Sequence, residues 1–351
     1  MKRIDPRHAV IDLTTLSRRA VLLSPLALMA CKASHKVIDI VGFSMGTTYQ
    51  VVAVDKTREL QQPVVKEAVE AALAEVNAAM SNWDDSSEVS RLNAAKSGEK
   101  MRVSPAFVEV VEASREVSRL SAGHFDATVG LLIELWGFGA PERRGVPTDE
   151  AIAAARNRAG MERLVVAGSD TIQKTRDDTQ VYLAGIGKGY GADRIGRALR
   201  DLGIEDFLVE IGGDLYAEGR NPDGVPWQIG IESPNAEDRS VLGVVGLSGR
   251  GLASSGDYRN YFEVDGERYS HLIDPTTGRP VTHKTASATV IAENAMLADA
   301  WSTGMLILGR ERGLEIAADN GIAVQFVERD PGEAELAFTT FTSQAFDNET
   351  A

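Results

Sequence analysis

From Ala295 to Leu308 the chain reads Ala-Met-Leu-Ala-Asp-Ala-Trp-Ser-Thr-Gly-Met-Leu-Ile-Leu, apolar on almost every side of a helix that Asn294 is placed to cap. A helix of that kind has to be surrounded, so the fold must supply layers on all sides of it. Asp299 stands in its middle. An ionised carboxylate there is costly unless a cation or several donors meet it. Ser302 and Thr303, three and four residues on, share a face with it. An oxygen-only set suits a hard cation, Mg²⁺ before Ca²⁺, with waters completing the shell. The alternative is a carboxylate bonded to nearby amides and a threonine bonding back to a carbonyl. Zinc is disfavoured, because His35, His124, His271 and His283 show no ligand-pair spacing and Cys31 is the sole cysteine.

The stretch Ser254 to Val281 is the second constraint. Asp265-Gly266 joins two short strand-like runs between Tyr261 and Ile273, as in a tight hairpin. Ser254, Ser255, Asp257, His271 and Asp274 flank it, polar groups that a hairpin does not need. Asp274-Pro275-Thr276-Thr277-Gly278 then turns the chain, which displays His271 and Asp274 at a strand end. A plain hairpin with a capped exit turn is the competing reading. A third stretch, Tyr182 to Gly191, reads as a strand entering a glycine-rich turn and then a helix with Ala192, Ile195, Leu199 and Leu202 on one face. Glycines let a backbone approach a ligand, and a helix N-terminus attracts phosphate. The spacing matches neither the Walker nor the Rossmann pattern, and a tightly packed turn would look the same.

Elsewhere the pattern alternates helices and strands. Strands are expected within Val37–Val54, at Phe207–Ile211, Leu215–Glu218, Trp227–Glu232, Val241–Leu247 and Ala288–Ala292, and two or three between Arg163 and Leu183. Helices are expected after Pro63, at Ser86–Asn93, after the Ser104-Pro105 cap up to Gly123, and after Thr148. Gly212-Gly213-Asp214 reads as a turn. The 351 residues suffice for one large domain or two lobes. A formal charge of −14 with no basic, aromatic-interleaved stripe argues against nucleic acid. It also means that a phosphorylated ligand would need a cation to offset repulsion.

The first thirty residues read as an address. Ser17-Arg18-Arg19 precedes an apolar run, Ala20 to Ala30, that is too short to span a bilayer and contains Pro25. Paired arginines before such a run suggest twin-arginine export. Leu28-Met29-Ala30-Cys31 resembles a bacterial lipoprotein box, with Cys31 as the lipidated first residue. Residues 1–30 are thus expected to be an export signal, 31–36 a tether and 37–345 the folded domain.

Several pieces recur together, in order. They are Met45-Gly46-Thr47, Met80-Ser81-Asn82-Trp83 through Asn93, Gly123-His124-Phe125-Asp126 through Gly139, and Gly185-Ile186-Gly187-Lys188-Gly189-Tyr190. Gly212-Gly213-Asp214, Ser255-Gly256-Asp257-Tyr258, Ser270-His271 through Gly278, and Ala298-Asp299 through Thr303 follow. As a set they resemble the FAD:protein FMN transferase (ApbE) family over nearly all of the chain beyond the leader. The resemblance implies an α+β, T-fold-like architecture with FAD in a cleft between two lobes. It implies Mg²⁺ at the pyrophosphate, and transfer of FMN to a Ser or Thr hydroxyl of an acceptor flavoprotein (a redox-pump subunit or a periplasmic flavoprotein), with AMP leaving. Carried over residue by residue, Met45, Trp83, His124, Phe125, Asp126, Lys188 and Ile273 would meet the nucleotide. Asp299, Thr303, Ser302 and the Gly185 carbonyl would hold the metal. His271 has the chemistry of a general base, and Asp257 or Asp274 would orient it or replace it. Trp83 stands where the family usually has Tyr, Tyr182 where it commonly has Asp, and His124 where it has Ala or similar. An FAD pyrophosphatase and an FAD-holding lipoprotein without turnover are competing readings. A serine hydrolase on Ser255 lacks the Gly-x-Ser-x-Gly elbow.

If the leader is read correctly, mass spectrometry of the protein from its native host will find Cys31 as a lipidated N-terminus. Recovery of a chain still beginning at Met1 would refute the assignment.

Overall fold

Eight strands lie side by side in the order in which they occur along the chain, every neighbouring pair antiparallel. They are β1 (Lys36–Ser44), β2 (Thr47–Asp55), β3 (Asp206–Ile211), β4 (Asp214–Glu218), β5 (Arg250–Gly256), β6 (Thr285–Ala292), β7 (Ala323–Asp330) and β8 (Ala337–Thr342). The computed structural model describes residues 35–139, 145–235, 240–258, 260–330 and 337–350. The residues read as an export signal, and Cys31, read as the lipid-bearing residue, lie outside the described residues.

Tight turns set the registers. Met45-Gly46 joins β1 to β2, Gly212-Gly213 joins β3 to β4, and Asp265-Gly266 joins the small hairpin Tyr261–Val264/Glu267–Ser270. All six turn residues have positive φ, as two-residue turns matched to strand twist require. Met45 adopts that conformation without being glycine, and its side chain runs over Gly191 of the glycine-rich helix.

Three helices cover one face: α1 (Gln62–Met80), α2 (Pro105–Leu120) and α3 (Gly187–Asp201). With Pro63 in the first turn, α1 packs Val65, Val69 and Leu73 against Val51 of β2 and Val209 of β3, joined by Ile195 and Leu199 of α3. Ser104 caps α2 through the Phe107 amide. The opposite sheet face is closed by the hairpin Trp227–Glu232/Val241–Leu247 and by Phe346 of the last helix, Gln344–Thr350.

The fourth long helix, α4 (Ala295–Asn320), is the apolar one. Asn294 caps it through the Leu297 amide, and it breaks at Gly309, whose φ of 72° is not helical. The apolar segment expected to end at Leu308 ends there, and a second helical stretch continues beyond the break. The helix packs against α2, α3, β5, β6 and β7. Its start is clasped closely: a Cβ on Gly189 would lie 2.1 Å from the Ala295 carbonyl oxygen, and one on Gly251 2.3 Å from the Ala295 nitrogen. The buried Asp193 carboxylate of α3 accepts from the Ala295 and Met296 amides, both at 2.9 Å. Burial outweighs those two bonds and pushes the Asp193 carboxyl up to about 6.

One expected strand is missing. Val181–Leu183 belongs to no ladder: Gln180 makes only an isolated parallel bridge to Val129, and side chains meet the Val181 backbone. Asn93 accepts from the Val181 amide at 2.7 Å and donates back to its carbonyl at 2.9 Å, and Asn82 adds a second bond to that carbonyl at 2.8 Å. The other sequence-based elements form, with ends displaced by a few residues.

Gly189→Ala is expected to lower stability by about 1–3 kcal/mol or more, since backbone, not a flexible side chain, occupies the space. Urea unfolding checks this, and an unchanged midpoint would show that the two helices are free to separate.

Candidate active site

A cavity of about 400 Å³ opens between the sheet-and-helix body and a smaller cluster built from Leu132, Trp136, Ile152, Phe262 and Ile273. α4 supplies Asp299, Thr303 and Ile307 to its wall, one residue per turn on a single face. The turn before α3 supplies Gly185, the first turn of α3 supplies Lys188, the end of β5 supplies Ser254 and Ser255, and the segment after α2 supplies Phe125 and Asp126. His271 and Ile273 close it from the hairpin side.

Asp299 is only 3% exposed. Its Oδ2 accepts the Gly189 amide at 3.1 Å, and its Oδ1 lies 3.9 Å from Lys188 Nζ. The Lys188 ammonium pairs directly with Asp214, a buried residue that also lines the cavity. Two carboxylates thus share one ammonium. Burial alone would push Lys188 down, but Asp214 and Asp299 outweigh it and hold the ammonium above the ordinary lysine range. Burial and then the charge of Asp299 push the Asp214 carboxyl well up, offset only in part by Lys188.

Hydroxyls surround this pair. Ser255 Oγ lies 3.3 Å from Thr303 Oγ1 and 2.9 Å from Ser302 Oγ, and Ser302 donates back to the Asp299 carbonyl at 3.0 Å. Gly185 packs against Thr303, where a Cβ would sit 3.1 Å from Thr303 Oγ1. Asp299, Thr303 and the Gly185 backbone therefore converge, whereas Ser302 turns its hydroxyl away from the cavity.

His271 is held by one carbonyl. Its ring Nδ1 lies 3.0 Å from the Asn260 oxygen, which also accepts the His271 amide at 3.1 Å. A ring nitrogen facing a carbonyl carries the proton, so Nε2 keeps its lone pair. Burial lowers the His271 pKa, opposed in part by the Asn260 carbonyl and by Asp257, so the neutral ring predominates at neutral pH.

The two aspartates expected beside it are committed elsewhere. Asp257, 7% exposed, is gripped by Arg329 of β7 and approached by Arg268 at 3.5 Å. Asp274 accepts from the Thr276 amide and hydroxyl, each at 2.8 Å, and lies 3.3 Å from His124 Nδ1. Burial raises the Asp274 carboxyl, but His124 and Thr276 outweigh it and hold it below the usual range. Neither aspartate lines the cavity, and the group orienting His271 is the Asn260 carbonyl instead. Met45, Trp83 and His124 also stand outside the lining. Trp83, 74% exposed, sets its ring edge-on to Tyr182, which does line it. Asp126 is half-buried and lines the cavity, accepts from the Thr128 amide at 2.6 Å, and has its carboxyl pushed up to about 6 by desolvation. Asp214 is the functional candidate that the sequence reading passed over. Its only sequence signal was its place in Gly212-Gly213-Asp214, where the turn explained everything.

A large antiparallel sheet packed on a mostly apolar helix, with His271 and an oxygen set opening into one cavity, defines an α+β protein with a polar cleft. The ApbE family profile matches residues 45–326. The chain is 41% identical over 323 residues to the FAD:protein FMN transferase of Vibrio cholerae, covering 91% of this chain and 96% of that one. It is 39% identical over 329 residues to the one from Haemophilus influenzae, covering 92% and 94%. The solved flavin transferase ApbE from Vibrio cholerae superposes with a TM-score of 0.82 at 37% identity, covering 90% of this chain and 99% of that one. The apo flavinyl transferase ApbE of Pseudomonas stutzeri gives 0.82 at 39%, covering 90% and 97%. The chain belongs to the ApbE family.

Lys188→Met is expected to cost about 3 kcal/mol by leaving two buried carboxylates without their cation. In that variant burial and the charge of Asp299, no longer offset by the ammonium, push the Asp214 carboxyl further up. The deficit is therefore complete above the folded pKa of Asp214 and shrinks as pH falls toward the unfolded value of about 3.9. Urea midpoints of variant and parent at about pH 8, 6 and 4.5 test the sign, and a deficit that grows in acid would refute it.

Proposed function

We propose that this chain transfers the FMN half of FAD to a Ser or Thr hydroxyl of an acceptor flavoprotein, forming a phosphoester bond and releasing AMP. Membership of the ApbE family supports this, and one observation carries it: His271 and the oxygen set of Asp299 and Thr303 face the same cavity.

In this reading Nε2 of His271 takes the proton of the acceptor hydroxyl as the oxygen attacks phosphorus. The Asn260 carbonyl fixes the tautomer that makes this possible. Lys188 sets a positive charge toward the phosphates, and the exposed face of Trp83, beside Tyr182, is available to stack on the isoalloxazine. The donor set fits magnesium: a carboxylate oxygen 3.9 Å from the Lys188 ammonium, a threonine hydroxyl, and a glycine backbone packed against that threonine. Asp299, Thr303 and the Gly185 carbonyl would hold it, without Ser302. When bound there, Mg²⁺ supplies the Lewis acid that spreads charge at the reacting phosphorus. The leader supports an envelope-facing lipoprotein anchored through Cys31.

Incubation with FAD, Mg²⁺ and an acceptor protein, followed by a denaturing gel, is the deciding experiment. Flavin fluorescence on the acceptor together with AMP is expected. Free FMN and AMP would mean hydrolysis, and unchanged FAD would mean a carrier. Asp299→Ala should abolish turnover in a protein that still folds. His271→Ala should slow transfer by about 10²–10⁴-fold while FAD affinity changes little. The parent's kcat/KM should fall in acid with an apparent pKa below the ordinary histidine value of about 6.5, a limb the His271 variant lacks.

A further inference from the structure

We propose that Asp214 is a positioning residue for the cation site: it holds the Lys188 ammonium off Asp299 Oδ1, so that this oxygen stays available to a divalent metal. The inference rests on the reading that Asp299 and Thr303 hold the cation, and adds a residue which that reading does not need.

Three elements bring the charges together. Lys188 lies in the first turn of α3, Asp214 opens β4 directly after the Gly212-Gly213 turn, and Asp299 lies inside α4. The ammonium pairs with Asp214 Oδ2 and stops 3.9 Å short of Asp299 Oδ1, beyond hydrogen-bond distance. Asp299 Oδ2 is already spent on the Gly189 amide, so Oδ1 is the oxygen left for a metal. An ammonium on a flexible four-carbon stem and a divalent cation compete for that same oxygen. Tethered within a few ångströms, the ammonium acts at high effective concentration and would hold the site in the metal's absence.

Asp214 removes the competitor without removing its charge. The Asp214 side chain is 3% exposed and that of Lys188 31%, so the ammonium is kept at the cavity wall by the more buried partner. With Asp214 neutral, the carboxylate that the structure already sets nearest to Lys188 is Asp299. Lys188 would then close on Oδ1, neutralise it and weaken the metal site.

Manganese, bound through the same oxygen ligands as magnesium, reports occupancy by the loss of the free-ion signal in electron paramagnetic resonance titrations. The expected order is a Kd raised about 10- to 100-fold in Asp214→Asn, the range for residues that orient metal ligands. Adding Lys188→Met to Asp214→Asn should return the Kd to within about threefold of the parent, because the competing ammonium is gone; this is well inside the range of that loss. If Asp214 were only structural, the double variant would bind as poorly as Asp214→Asn or worse. That outcome, or a parental Kd in Asp214→Asn, overturns the proposal. Asp299→Ala is titrated alongside. If it too binds manganese like the parent, the cation reading itself fails, which separates that failure from this one.

Discussion

An aspartate inside an apolar helix is the constraint on which the structure turns. Asp299 is tolerable only because the start of α4 lies close enough to α3 for the Gly189 amide to reach one carboxylate oxygen. That closeness exists only where a side chain is missing, at Gly189. Asp193 and Asn294 then occupy the first amides of α4, so the buried start of that helix has its amides met by side chains. The cavity, the lysine and the hydroxyl chain follow from this arrangement, because each is placed relative to that helix.

The second half of the site depends on a different kind of tie. His271 sits on a small hairpin that could swing away from the sheet. It is held by Asp257, whose bonds to Arg329 join the end of β5 to β7, while Arg268 reaches across from the hairpin to the Asp257 carbonyl at 2.6 Å. A run of aromatic contacts, His271 to Phe138 to Phe262 to Tyr269 to Trp136, backs the hairpin, and the Trp136 indole donates to the Gly278 carbonyl at 2.9 Å. The imidazole is thereby placed by packing and by the Asn260 carbonyl.

Local features were legible and distant ones were not. The caps at Ser104, Thr148 and Asn294 and the turns at Asp265-Gly266 and Gly212-Gly213 follow from residues within a few positions of one another. Asp257 was read as a candidate base because its partner, Arg329, lies 72 residues away and nothing in the local pattern announces it. The segment at Val181 reads as a strand from its pattern, whereas side-chain amides from Asn82 and Asn93 bond its backbone in a way that periodicity does not register. Asp214 was hidden by the adequacy of its turn. The family resemblance carried the site's composition, but not which of its carboxylates actually face the cavity.

The meander of the sheet hides one discontinuity. β2 and β3 are neighbours in space, yet the whole of Lys56–Glu205 is threaded between them, and the far wall of the cavity comes from residues beyond 270. Chains are made from the N-terminus, so the early hairpin and first helices emerge with apolar faces that only later strands and α4 can cover. The pocket's wall is unfinished until Asp299, Thr303 and Ile307 have been synthesised, so a polypeptide cut short ahead of them lacks that wall.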